Sequence, residues 1–145
     1  MLSVNVSRRK GERKTPVGAA VCRADFGFEG DAHAGAELRQ ISLLADESAA
    51  KIRARGLAVG PGDFAENLTT TGVELLTLPL GARLKIGKVL LEITQIGKIC
   101  HDRCAIYEQT GDCVMPREGV FARVVAGGEI RPGSAIEICR TEDAP

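Results

Sequence analysis

Gly81-Ala-Arg-Leu-Lys-Ile-Gly-Lys-Val-Leu-Leu-Glu-Ile-Thr-Gln-Ile96 is the stretch that decides the fold class. Its first half alternates strictly, so Ala82, Leu84 and Ile86 share one face, and a two-residue Gly87-Lys88 turn leads into a second apolar run. This pattern predicts a β-hairpin. Upstream, short apolar segments are separated by turn residues at Pro61-Gly62-Asp63, Thr71-Gly72 and Pro79. Ile41 to Leu44 reads as a strand, and Asp46 then reads as the N-cap of a helix through about Arg55, with Ala49 and Ile52 inward and Gly56 as its stop. Met1 to Val6 and Val17 to Cys22 read as a further hairpin, whereas residues 25–40, interrupted by three glycines, read as a loop suited to function. Downstream, a second short helix is expected around Glu118 to Val125, ended by Gly127-Gly128, and a last strand from Ser134 to Cys139. Many short strands with two or three short helices predict a mostly-β barrel.

The chain has 145 residues, which predicts a single domain over 1–145. No apolar run approaches the ~18–20 residues of a membrane span. Aromatic residues make up only 3%, too few for a platform that stacks single-stranded bases, and no nucleic-acid partner is expected. Net charge is zero, yet Arg8, Arg9, Lys10, Arg13 and Lys14 oppose only Glu12 near the start. That run reads as a solvated loop between two strands. Met1 to Val6 is too short for the apolar part of a secretory signal, so a cytoplasmic location is expected. Five cysteines, an odd number, argue against a disulfide framework.

Three of those cysteines fall close together. In Gly97-Lys98-Ile-Cys100-His101-Asp-Arg103-Cys104 a thiol flanked by Lys98, His101 and Arg103 sits in a positive field, which favours the thiolate that acts as nucleophile or soft-metal ligand. A structural zinc site would want two close pairs, and here Cys113 stands alone nine residues beyond Cys104. A redox pair would want two intervening residues at a helix start. Gly30-Asp31-Ala-His33-Ala-Gly35 with Arg39 combines backbone donors and cationic groups suited to an oxyanion or phosphate. Glu66 and Asn67, inside Asp63-Phe-Ala65-Glu66-Asn67-Leu68, lie between apolar residues where buried polar atoms need partners. Asn67 serves equally as a loop brace.

The order Gly30-Asp31-x-His33-x-Gly35, Asp63-Phe-Ala65-Glu66-Asn67-Leu68, Leu84-Lys-Ile-Gly87, Gly97-x-x-Cys100-x-x-x-Cys104 and Gly111-Asp-Cys113-Val-Met-Pro-Arg-Glu-Gly119-Val-Phe-Ala-Arg123 resembles the MOSC family, the molybdenum cofactor sulfurase C-terminal domain. The resemblance runs from about Val4 to Ile138 and is strongest to small stand-alone bacterial members. It implies a MOSC-type β-barrel that carries sulfur as a persulfide or binds the molybdenum cofactor (molybdopterin) through Cys100 or Cys104, as catalytic residue or metal ligand. Gly30, Asp31, His33, Arg39, Glu66, Asn67, Lys98 and Arg103 are the implied cofactor-binding residues, with Arg117 and Arg123 as weaker cationic candidates. Ala65 stands where the family commonly has Gly, which reduces backbone access to an anion. The implied partners are molybdenum cofactor biosynthetic proteins and a separate cysteine desulfurase, which alone would hold pyridoxal phosphate. The competing expectation is a docking module for such a protein or for a molybdoenzyme, with cysteines that are structural or bind zinc.

Overall fold

The computed structural model describes residues 1–9, 13–35, 39–97 and 118–139. Its strands are β1 (Ser3–Val6), β2 (Thr15–Val17), β3 (Ala20–Arg23), β4 (Gly27–Phe28), β5 (Ile41–Ala45), β6 (Leu68–Thr70), β7 (Arg83–Ile86), β8 (Val89–Ile96), β9 (Val120–Ala126), β10 (Gly128–Ile130) and β11 (Glu137–Cys139). One α-helix, α1 (Asp46–Arg53), and one 3₁₀ turn at Leu75–Thr77 complete the described elements. A curled eight-stranded sheet runs β11-β7-β8-β9-β5-β6-β1-β2, and a three-stranded sheet runs β10-β3-β4. The fold is mostly β, as expected.

Alternation builds the interior. Leu84 and Ile86 of β7, Val89, Leu91 and Ile93 of β8, and Val120, Ala122 and Val124 of β9 all turn into one apolar core with Ile41 and Leu43. The opposite face of β5 and β9 supplies Leu44 and Phe121 to a second cluster with Ala49, Ile52, Val59 and Phe64, which seats α1 on the sheet. β5 and β6 run parallel, Leu43 opposite Leu68, so the chain must cross over between them, and α1 is that crossover. The hairpin that decides the fold is present, with Leu84 opposite Leu91 across the Gly87-Lys88 turn.

Several expectations need correction. Residues 120–126 form the central strand β9 and not a helix, because Val120, Phe121, Ala122 and Val124 are buried on both faces between β5 and β8. A strand covered on both faces carries a continuous apolar run whose period does not separate it from a buried helix. The first hairpin pairs β1 with β2 only, Val4 opposite Val17, while β3 leaves for the smaller sheet. Asp46 is not a cap: Ala45 holds that position, and the Asp46 carboxylate instead pairs with Arg53 at 2.9 Å. The last strand begins at Glu137, three residues later than expected. Lys14, read as part of a solvated run, is 3% exposed. Among the described residues no helix is long and apolar enough to cross a membrane.

Candidate functional site

The two motifs singled out before β5 and β6 meet in one buried polar network. Asn67 closes β6 onto β5: its Oδ1 accepts from the Ser42 N–H at 3.0 Å and its Nδ2 donates to the Asn5 carbonyl at 3.2 Å. Asn5 in turn donates to the Glu66 carbonyl at 3.1 Å and to Thr69 Oγ1 at 3.0 Å. The Thr69 hydroxyl donates to Glu66 Oε2 at 2.9 Å, and the Phe64 N–H to Oε1 at 3.3 Å. Burial pushes the Glu66 carboxyl above its usual range, against hydrogen bonds that pull the other way. Glu66 and Asn67 are thus 1% and 0% exposed, with their side-chain oxygens engaged in tying β1, β5 and β6 together. The loop-brace reading of Asn67 matches this geometry.

Asp31 occupies the other side of the network. Its Oδ1 accepts from Lys14 Nζ at 2.8 Å and from the Ser7 N–H at 3.0 Å, and its Oδ2 from the His33 N–H at 3.1 Å. Burial raises the Asp31 pKa, but the hydrogen bonds from Lys14 and Ser7, the Lys14 charge and a bond from Asn67 outweigh it and hold the carboxyl below its usual range. His33 sits beside this pair with its side chain 31% exposed. Gly30, with φ of 79°, turns the chain into the loop. Pro61-Gly62 passes so close to Lys14 that a Cβ on Gly62 would lie 2.0 Å from the Lys14 carbonyl oxygen, which explains a glycine there. The backbone at Ala65 is left-handed, φ 64°, the conformation for which glycine is the unstrained choice.

Arg39 stands outside this network. It is exposed and lays its guanidinium 5.9 Å from the Phe121 ring. Phe121 lies opposite Ser42 and two residues from Gly119, whose carbonyl accepts the Gly97 N–H at 2.7 Å. That bond closes the root of the segment that follows β8. Lys98, Cys100, His101, Arg103, Cys104, Cys113 and Arg117 all lie outside the described residues. Arg123 is taken up by Glu92, Nε to Oε2 at 2.8 Å.

At the far end of β5, three residues or roughly 10 Å along the strand from Ser42, a cleft of about 510 Å³ opens between α1 and residues 72–77. Glu118, beside Gly119, lines it and accepts from Ser48 Oγ at 2.9 Å and Lys51 Nζ at 2.8 Å. Cys22 is a buried thiol pushed up to about 12 by desolvation, and so stays protonated. Lys14, Asn5 and Ser7 are network members that sequence reasoning did not single out. For Lys14 the signal was faint, a lysine ending a basic run just before a strand.

The described residues thus comprise a rigid polar brace, an exposed cation on an aromatic face and a clamped root for the cysteine segment. Residues 30–137 match the MOSC domain. The chain belongs to the MOSC family. MOSC domains are linked to molybdenum cofactor sulfurase-type proteins. The fold is similar to the YuaD protein of Bacillus subtilis, with a TM-score of 0.78 and 17% identity over 94% of this chain and 92% of that one. It is also similar to YiiM from Geobacillus stearothermophilus, at 0.73 and 23% over 96% and 74% of the two chains. For YiiM from Escherichia coli the values are 0.68 and 19% over 95% and 68%. At these identities the likeness is one of fold. No curated protein sequence matches this MOSC chain significantly.

Proposed function

We propose that this chain, a single MOSC domain over 1–145, serves molybdenum cofactor metabolism through a thiolate at Cys100 or Cys104, which carries sulfur as a persulfide or ligates the cofactor's metal. The observation that supports this most is the Gly97 to Gly119 clamp: it anchors the root of the cysteine segment to the central strands, two residues from the Phe121 ring that carries Arg39. Of the two described cysteines, Cys22 is a buried thiol with its pKa raised to about 12, so it does not supply the thiolate of this reading. The described residues suit the anionic part of such a cofactor. Arg39 and His33 carry that role, with Lys98 and Arg103 as its further cations, whereas Asp31, Glu66 and Asn67 position the loops and do not touch the ligand. When bound, the cofactor would supply an oxo-transfer metal centre. In sulfur carriage, the chain's thiolate attacks the outer sulfur of a desulfurase persulfide, and the desulfurase thiolate leaves.

Incubation with a cysteine desulfurase and cysteine tests the reading. Wild type should gain about 32 Da, one sulfur, removable by reductant. Cys100→Ser or Cys104→Ser should abolish the gain, and Cys139→Ser should not. Retained molybdenum cofactor without sulfur uptake assigns the thiolate as a ligand. Neither sulfur nor cofactor refutes both and favours the docking module. Arg39→Ala should weaken cofactor binding by roughly 1.5–3 kcal/mol, the worth of a charge-assisted hydrogen bond.

A further inference from the structure

β5 pairs with β9 from Leu43 opposite Val120 to Ile41 opposite Ala122. Two residues further along the same register, Arg39 would stand opposite Val124, on the face that Ile41 and Leu43 turn to the main core, since side chains in a strand alternate. There its cation would point toward that core. Arg39 is instead exposed, with its guanidinium carbon 5.9 Å from the centre of the Phe121 ring, and Phe121 packs with Leu44, Ala49, Ile52 and Phe64 on the opposite face. Alternation is broken between Ile41 and Arg39.

Gln40 stands at the break, 1% exposed. Its Oε1 accepts the Val124 N–H at 2.9 Å and its Nε2 donates to Asp25 Oδ1 at 3.1 Å, while the Asp25 N–H donates to the Val124 carbonyl at 2.7 Å. A backbone N–H can only donate, so the amide is fixed with its oxygen toward Val124. Val124 has no N–H left for the carbonyl of residue 39, and the rung that would have continued the ladder is made by a side chain. Gly27 packs on the same residue, close enough that a Cβ there would lie 2.9 Å from the Gln40 carbonyl oxygen. We propose that Gln40 is a positioning residue: by supplying the Val124 rung from its side chain, it keeps Arg39 off the β5–β9 ladder and turns it from the core side to the Phe121 side. A shift of one residue inverts the face that a side chain occupies, and the side-chain rung has that result for Arg39. That Arg39 meets an anionic ligand there rests on the function proposed above, whereas its placement is read in the ligand-free chain.

In wild type the Arg39 side-chain protons should carry an upfield ring-current shift that disappears in Phe121→Leu. Gln40→Leu, which keeps the bulk but neither hydrogen bond, should lose the shift as well. Gln40→Asn, one methylene too short to span Val124 and Asp25, should do the same and serves should the leucine variant not fold. Gln40→Glu combined with Asp25→Asn keeps an acceptor for Val124 and reverses the pair with residue 25, so it should retain the shift. A wild type without the shift, a shift unchanged in folded Gln40→Leu or Gln40→Asn, or its loss from the reversed pair would overturn the proposal. In cofactor binding, Arg39→Ala should cost wild type roughly tenfold to a hundredfold and Gln40→Leu little, because the arginine is already displaced there. Equal costs in both backgrounds would likewise overturn it. A wild type that binds no cofactor would refute the ligand role of Arg39 and leave the ring shift to decide on Gln40.

Discussion

Replacing Asp31 by asparagine should be among the most damaging single changes in the chain, and its magnitude follows from the geometry of the Lys14 pair. Both side chains are wholly buried and their charged atoms are 2.8 Å apart. Asparagine keeps one oxygen for the Ser7 N–H but leaves the ammonium without a counter-charge, and an orphaned buried charge costs about 3–5 kcal/mol. With 145 residues, at ~2.1 cal/mol/K of unfolding entropy per residue, this loss lowers Tm by roughly 10–16 °C. Lys14→Met should cost a similar amount. The double variant should recover about 2–3 kcal/mol relative to the sum of the singles, because no charge then remains unpaired. Urea unfolding of all four proteins closes the cycle. Single costs below about 1 kcal/mol that simply add would mean that water reaches the pair, and would refute the buried-pair argument.

Proton linkage adds a second arm. The folded Asp31 pKa lies below the ordinary 3.8, so the stability it contributes is complete above that value and is lost as pH falls through the folded pKa. Glu66 has the opposite sign. Its folded pKa lies above the ordinary 4.5, so its contribution is complete below that value and is lost as pH rises through the folded pKa. Urea midpoints from about pH 3 to about pH 7 should therefore lose their acid limb in Asp31→Asn and flatten above the ordinary glutamate range in Glu66→Gln. A single profile shared by both variants would contradict these assignments.

Three further outcomes are expected. Ala65→Gly should stabilise the protein by about 0.5–1 kcal/mol, since relief of left-handed strain exceeds the extra chain entropy of glycine; an unchanged or lower urea midpoint would count against it. Gly62→Ala should destabilise by at least about 2 kcal/mol, because its Cβ meets the Lys14 carbonyl and its φ is 88°, and an unchanged Tm would show that the two loops do not press together. Alkylation at neutral pH with peptide mapping should leave Cys22, 2% exposed, unlabelled in the native state while Cys139, partly exposed, reacts; early labelling of Cys22 would contradict its burial.

What could be read from the chain alone follows the range of the interactions involved. The β7–β8 hairpin and α1 are set by local alternation, a two-residue turn and a glycine stop, all within a dozen or so residues. β9 was not legible because both its faces are covered, which erases the alternation that marks a half-buried strand. The motif residues were legible as unusual, since polar groups such as Glu66 and Asn67 between apolar neighbours demand partners. Their task was not: Asn67 finds Ser42 and Asn5 at separations of 25 and 62 residues. Lys14 was misread for the same reason. Its partners are 7, 17 and 19 residues away, and a run of cations shows nothing of which member turns inward.

The Gly97 to Gly119 hydrogen bond also bears on how such a chain tolerates change. The backbone leaves the sheet and returns to it at the same rung, between the strands that share the most extensive pairing in the fold. The β8–β9 register is set by residues up to Ile96 and from Val120, so the length of chain between the two glycines does not enter it. The entropic penalty of lengthening an excursion with fixed ends rises only by about 0.6 kcal/mol per doubling. The residues proposed for chemistry are therefore joined at both ends to the most extensively paired strands of the described fold, and those strands should keep their pairing when the intervening chain is replaced by a short turn.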